Sequence, residues 1–307
     1  MQKQPSFAKM QNVGSNFTRQ LCNYNTLMIT IDFETFKERL SLLENISSDL
    51  NKQEALQKFQ KEDKKLTKEN EQILIAYSPE SLHPTKETVL FRATIPFESF
   101  DENAISCYSY PKNPGLQRCN IPKHPVFYCS DNSSICINET LNGKLFDTFP
   151  INLYLSTWNV SEERKWKILP LIFLTLPSVN KLHLYVEKNR KSLLEKYKDQ
   201  ISEKDIQSYI QFYHNEFRKK DTYKFSSIVS HKFLYEENND IVIFPSVQVE
   251  SEGNNYAINT KWINNKTFFC SKVYKYRIEK NDDLYSWYLE AEGIPKGNKI
   301  EWQNFKI

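Results

Sequence analysis

Glycine is scarce in this chain, and a long apolar segment is missing. Only six of the 307 residues are glycine. The longest apolar run, "ILPLIFLTLP" at residues 168–177, is about half the length of a membrane-spanning helix. The N-terminal sequence "MQKQPSFAKMQNVGSNFTRQ" lacks the apolar core of a secretory signal peptide. We therefore expect a cytoplasmic protein that does not interact with membranes.

An excess of charge of one sign is also missing. The 41 Lys and Arg residues nearly balance the 38 Asp and Glu residues, which leaves a net charge of +3, and the two signs alternate along most of the chain. This pattern indicates no electrostatic surface for nucleic acid. The six cysteines form no CxxC pair and no zinc-ligand spacing with histidine, so we expect buried, reduced thiols and no metal site. A small molecule or a protein is the better-fitting partner.

The N-terminal part has the periodicity of helices. From Asp32 to about Tyr77, apolar residues recur every three or four positions, which is typical of amphipathic helices. The segment "YSPESLHPTKET" then breaks the pattern with two prolines. The sequence therefore predicts a helical N-terminal region over residues 1–80.

Residues 81–307 alternate between the signals of strands and of helices. Short β-branched or aromatic runs bounded by Pro, Asn, Ser and Asp predict strands in "TVLFRATIP", "HPVFYCS", "INLYLSTWNV", "LIFLTLP", "DIVIFPSVQVE", "NNYAINTKWI", "TFFCSKVYKYRIE" and "LYSWYLEAEG". Between them, a helical insert is predicted around residues 180–220, in which Ser202 and Asp205 resemble a helix start. The expected fold class is α+β, with a mixed sheet and flanking helices.

One segment, "RCNIPKHPVFYCSDNSSICINET" at residues 118–140, combines side chains that suit a phosphorylated sugar. Arg118 precedes a stiff turn with two prolines, Tyr128 ends a short apolar strand, and Glu139 follows a capping sequence for a helix. Arginine can bind a phosphate pair, tyrosine can stack on a flat ring, and glutamate can stabilise an oxocarbenium-like sugar. The combination indicates cleavage of an N-glycosidic bond, although each residue taken singly is more often structural.

A second candidate position follows a later apolar run. Pro245 ends the run "IVIF", and Ser246 comes directly after it, at a strand end where small polar residues are often presented to a site. A serine that only caps a turn is an equally good interpretation. Ser246 is therefore a candidate because it follows the end of a strand, and its role stays open at this point.

The order of these residues resembles the RES domain family, which is named for its arginine, glutamate and serine. The family has Arg, any residue, Asn, a proline-containing turn, an apolar strand ending in Tyr and then Glu on a helix. In this chain, Arg118, Tyr128 and Glu139, together with the residues between them, resemble this pattern. In the same turn, Lys123 and His124 stand where the family usually has glycine.

Two further motifs extend the resemblance over about residues 88–262. The family's early strand of an apolar residue followed by Arg resembles "LFRA", which contains Arg92. The family's later motif consists of an aspartate, an apolar strand, Pro-Ser and a segment with two asparagines. Asp240, "IVIFPS" and "NYAIN" at 255–259 resemble it. The three motifs occur in the family's order.

The resemblance implies a fold like that of ADP-ribosyltransferases of the diphtheria-toxin type, and degradation of NAD+ as the activity. It implies that Arg92 and Arg118 hold the pyrophosphate and that Tyr128 stacks on nicotinamide. Glu139 would stabilise the ribosyl cation, and Ser246 would orient the ribose or the nicotinamide amide. NAD+ would be the substrate, with no further cofactor.

Family members are typically bacterial toxins that a cognate antitoxin protein neutralises, so the resemblance also implies such a partner. A homo-oligomer is compatible with the sequence. Three alternatives stay open: phosphate could replace water as the acceptor, the same fold can transfer ADP-ribose to a macromolecule, and the chain could be a non-catalytic interaction module.

Overall fold

The fold is known from a computed structural model of the chain. It describes residues 83–112, 114–141, 149–161, 164–171, 175–199, 202–219, 223–236, 239–247, 251–263, 267–281 and 284–305. The helical N-terminal region that we predict over residues 1–80 lies outside the described residues. What is described is a mixed α and β structure built on one sheet.

Nine strands form this sheet in the order β4-β5-β6-β2-β1-β3-β7-β8-β9. Every neighbouring pair is antiparallel except β4 and β5, which are parallel. The strands are β1 (Val89–Thr94), β2 (Val126–Ser130), β3 (Ile151–Val160), β4 (Ile168–Pro170), β5 (Ile241–Pro245), β6 (Asn254–Asn259), β7 (Phe268–Asn281), β8 (Leu284–Lys296) and β9 (Lys299–Asn304).

Helices and short helical turns lie between the strands along the chain. Short 3₁₀-helices span Ile105–Tyr108 and Thr260–Trp262, and a short π-helix spans Lys232–Glu236. The α-helices of the described residues are α1 (Ser133–Leu141), α2 (His183–Tyr197), α3 (Glu203–Arg218) and α4 (Lys224–His231).

Most of the strands agree with the sequence pattern, but three places differ. Tyr128, which we predicted to end a strand, lies in the middle of β2. The run "LIFLTLP" is not a strand at its described residues, and the strand there is the preceding Ile168–Pro170. It pairs in parallel with residues 241–243 of β5, which itself continues to Pro245. Strand β9 is not predicted. It follows a turn in which Gly297 has a φ of 60°, a conformation that favours glycine.

Helix α1 is fixed at its start and on one side. The Oδ1 atom of Asn132 accepts hydrogen bonds from the backbone N–H groups of Ser134 (2.9 Å) and Ile135 (3.3 Å), which makes Asn132 the N-cap. The Sγ atom of Cys136 accepts a hydrogen bond from the N–H of Ala93 over 2.9 Å and so ties the helix to β1. The helix therefore carries Glu139 in a defined position relative to the sheet.

The cysteines of the described residues are free thiols, and their chemistry is suppressed by burial. Cys119, Cys129, Cys136 and Cys270 are buried, and Cys107 is half-buried. Burial raises the pKa of Cys119, Cys136 and Cys270 to about 12. These side chains therefore pack as small apolar groups, which agrees with the prediction of buried, reduced thiols.

Candidate active site

Glu139 and Ser246 are in direct contact, although 107 residues separate them in sequence. The Ser246 hydroxyl donates a hydrogen bond to Oε1 of Glu139. Ser246 is fully buried directly after β5, and its backbone is held on both sides. Its N–H donates to the carbonyl of Gly253 over 2.7 Å, and its carbonyl accepts from the N–H of Ser251 over 2.8 Å. The turn between β5 and β6 thus presents the serine to the helix.

A third residue, Asn255, completes the environment of this carboxylate. Its side-chain Nδ2 donates to the same Oε1 of Glu139 over 2.9 Å. Asn255 lies in β6 and is itself buried. Among the described residues, none donates a hydrogen bond to Oε2. We did not single out Asn255 from the sequence, although it is the first asparagine of the "NYAIN" segment.

Gly253 allows helix α1 to approach this turn. A Cβ atom at position 253 would lie 1.6 Å from Cδ1 of Ile135, which is far inside van der Waals contact. Ile135 precedes Glu139 by one helical turn. The absence of a side chain at Gly253 therefore lets the helix and the β5–β6 turn pack closely enough for Glu139 to meet Ser246 and Asn255.

Tyr128 holds the loop that carries Arg118. Its hydroxyl oxygen accepts a hydrogen bond from the N–H of Cys119 over 2.5 Å and donates to Oδ1 of Asn120 over 3.1 Å. Burial raises the pKa of Tyr128 well above its ordinary value, so the phenol stays protonated and able to donate. The hydroxyl is thus used structurally, and the ring is half-buried. Stacking of this ring on nicotinamide stays a prediction.

Arg118 is a buried cation. Only 7% of its surface is exposed, and its Nη2 donates to the carbonyl of Lys219 over 3.1 Å. The guanidinium lies 5.2 Å from the ring centre of Tyr223 and 6.0 Å from that of Phe244. Among the described residues, its Nε has no hydrogen-bond partner and no carboxylate forms an ion pair with it. A buried charge of this kind favours the binding of an anion.

Arg92 is tied to the same part of the sheet. Its Nη1 donates to the backbone carbonyl of Tyr128 over 2.9 Å, and its guanidinium lies 5.7 Å from the ring centre of Phe127. Burial lowers the pKa of Arg92, and nearby cysteine and tyrosine side chains oppose this effect. Like Arg118, it has an Nε without a partner, and no described carboxylate pairs with it.

The loop after Arg118 contains a residue in a conformation that favours glycine. Lys123 has a φ of 71°, in the left-handed region that non-glycine residues rarely adopt. This is the turn where the resemblance leads one to expect glycine. The backbone of the turn therefore has the conformation that glycine would support, and here lysine adopts it.

Strand pairing explains how the separate motifs meet. Asn255 is paired with Ser130 of β2 on one side and with Phe244 of β5 on the other. Directly paired residues point to the same face of a sheet. Phe244, whose ring lies under the Arg118 guanidinium, therefore shares a face with Asn255, which contacts Glu139. In the described residues, no hydrogen bond or ion pair joins Glu139 to Arg92, Arg118 or Tyr128 directly.

The described residues contain no cluster of three or more His, Cys, Asp or Glu side chains that could hold a metal ion. They also contain no helix that is both long enough and apolar enough to cross a membrane. No protein-family model and no curated protein sequence matches this chain.

Proposed function

We propose that this protein degrades NAD+ by cleaving the bond between nicotinamide and ribose. The observation that carries the proposal is the arrangement around Glu139. Two neutral donors, Ser246 and Asn255, bind Oε1, while Oε2 accepts nothing from the described residues. A carboxylate with one oxygen fixed, and with no donor to the other among the described residues, suits the stabilisation of a positive charge.

The chemistry needs only one such carboxylate. When the glycosidic bond breaks, its electron pair moves to the pyridinium nitrogen, and nicotinamide leaves as a neutral ring. Positive charge then develops on the ribose carbon and its ring oxygen, and Glu139 stabilises it. Water attacks this carbon and releases a proton, which yields ADP-ribose. Inorganic phosphate in place of water would yield ADP-ribose-1''-phosphate.

The two arginines supply the positive charge that the pyrophosphate of NAD+ requires. Arg118 and Arg92 are cations without a carboxylate partner among the described residues, and each has an unpaired Nε. A pyrophosphate would supply the missing negative charge and the hydrogen-bond acceptors. Tyr128 supports this function indirectly, because its hydroxyl fixes the loop of Arg118.

The resemblance to the RES domain family supports the same reaction and suggests its biological setting. On this proposal the sheet is that of an ADP-ribosyltransferase-like fold, and the protein is a bacterial toxin that acts in the cytoplasm. A cognate antitoxin protein would be its partner.

One assay tests the reaction. Purified full-length protein is incubated with NAD+ at several phosphate concentrations, and nicotinamide, ADP-ribose and ADP-ribose-1''-phosphate are separated by chromatography. We expect nicotinamide to appear together with one of the two ribosyl products, and the phosphate dependence identifies the acceptor. Release of nicotinamide with neither free product would indicate transfer to a macromolecule. Unchanged NAD+ at high protein concentration would refute the proposal.

A further inference from the structure

The helical insert reaches the candidate active site at the end of α3. Arg218 is the last residue of that helix, and its Nη1 donates to Oγ of Ser251 over 2.9 Å. The next residue, Lys219, accepts a hydrogen bond from Arg118 through its carbonyl. Ser251 in turn donates its N–H to the carbonyl of Ser246. A third arginine therefore lies where the insert, the Arg118 loop and the β5–β6 turn meet.

Arg218 has no carboxylate partner among the described residues, unlike the neighbouring Lys219 and the other arginine of the insert, Arg190. Lys219 lies 2.5 Å from Glu216, and Arg190 of α2 lies 2.8 Å from Glu187. Among the described residues, only the neutral hydroxyl of Ser251 is hydrogen-bonded to Arg218, while Arg118, which has no described carboxylate partner either, is anchored to the adjacent residue. Bringing like charges together is unfavourable, and an anion between them would reverse the sign of that contribution.

We infer that Arg218 is a substrate-binding residue that contacts the second phosphate of a diphosphate held by Arg118. This inference rests on the proposed function, and it names the feature of the substrate that the site recognises. A dinucleotide carries two linked phosphates and would engage both arginines. A mononucleotide carries one phosphate and would engage only one of them. The insert thus selects for a diphosphate.

The test uses ADP and AMP as matched probes, because they share adenosine and differ by one phosphate. Their dissociation constants are measured by calorimetry for the full-length protein and for Arg218→Gln, Arg218→Lys and Ser251→Ala. A hydrogen bond to a charged group corresponds to roughly tenfold to a hundredfold in affinity. We expect Arg218→Gln to weaken ADP binding by that factor and AMP binding by much less, with an intermediate effect for Arg218→Lys.

The controls separate binding from packing. Arg190→Gln removes a paired arginine from the same insert and should leave both affinities unchanged. If Arg218 only anchors the turn, Ser251→Ala will reproduce the loss of preference for ADP, which would overturn the inference. The inference is also overturned if the wild-type protein fails to prefer ADP, or if Arg218→Gln or Arg218→Lys keeps the full preference.

NAD+ cleavage is measured in parallel, so that the two proposals can fail separately. A preference for ADP that depends on Arg218, without any cleavage, refutes the proposed reaction and supports the diphosphate site. Cleavage together with a preference that is independent of Arg218 supports the reaction and refutes the role of Arg218.

Discussion

The side-chain amide of Asn255 donates a hydrogen bond to Oε1 of Glu139 over 2.9 Å, across 116 residues of sequence. Asn255 is buried in β6, whereas Glu139 lies on a helix that is anchored to β1. The amide is neutral, so it orients the carboxylate without forming an ion pair with it. This contact makes Asn255 a positioning residue of the candidate active site.

We therefore expect Asn255→Ala to lower kcat for NAD+ by roughly tenfold to a hundredfold, which is the effect of losing one hydrogen bond to a charged group. KM should change little, because in our proposal Asn255 contacts Glu139 and not the substrate. Steady-state kinetics with the exposed Asn304→Ala as the control measures this. A variant in which KM alone rises would place Asn255 against the substrate instead.

Glu139→Gln should fold normally and lose most of its activity. The amide retains the shape of the side chain but removes the charge that stabilises the ribosyl cation. Loss of such a group reduces the rate by roughly a hundredfold to a thousandfold. Nicotinamide release measures the rate, and the same change at Glu195, which pairs with Lys198 on α2, is the control. If the variant retains more than about a third of the wild-type rate, Glu139 is not the catalytic carboxylate.

Arg118→Lys should not behave as a conservative change. Lysine keeps the charge, but it cannot reproduce the planar guanidinium that contacts the Tyr223 and Phe244 rings and donates to the Lys219 carbonyl. We expect a lower kcat/KM for NAD+, by roughly tenfold or more. Kinetics equal to wild type would show that Arg118 does not bind the substrate, and Arg190→Lys serves as the matched control.

Gly253→Ala should destabilise the protein by about 1–3 kcal/mol, as overpacking of a close contact does. Its Cβ would lie 1.6 Å from Cδ1 of Ile135 and would push helix α1 away from the turn. Because that helix carries Glu139, NAD+ cleavage should fall as well. Gly115→Ala is the control, since nothing lies within 4 Å of a Cβ there. Equal urea midpoints for the two variants would contradict the packing argument.

The stability of the protein should decrease as the pH is lowered, because of His231. Burial, together with the charge of His124, lowers the pKa of His231 from 6.5 to about 4. The unfolded chain therefore takes up this proton before the folded chain does. The free energy of unfolding should be highest above about pH 6.5 and should decrease as the pH falls from 6.5 towards 4.

His231→Asn should flatten this dependence, and denaturant titrations at several pH values measure it. The slope should not vanish, because burial also lowers the pKa of His214 to about 4. An unchanged slope in His231→Asn would show that His231 does not titrate between the folded and unfolded states as described.

The local sequence was sufficient to locate most of the secondary structure. Strand β3 follows from a β-branched and aromatic run bounded by turn residues. Helix α3 follows from its helical pattern and from a cap, in which Ser202 accepts a hydrogen bond from the N–H of Asp205 over 3.2 Å. The extent of β4 did not follow from its apolar run, because it depends on which residues pair with a second strand. The partner of β4 is β5, which is distant in sequence.

In the candidate site, too, some features follow from the local sequence and others from tertiary structure. The sequence alone predicts the site residues Arg118, Tyr128, Glu139 and Ser246. The proposed reaction requires residues of these types, and they occur in the expected order along the chain. The contact between Glu139 and Asn255, the loop contact of Tyr128 and the position of Arg218 depend on tertiary structure alone. Each joins segments that the sheet order and the insert bring together, and short-range sequence patterns carry no information about which distant segments will pair.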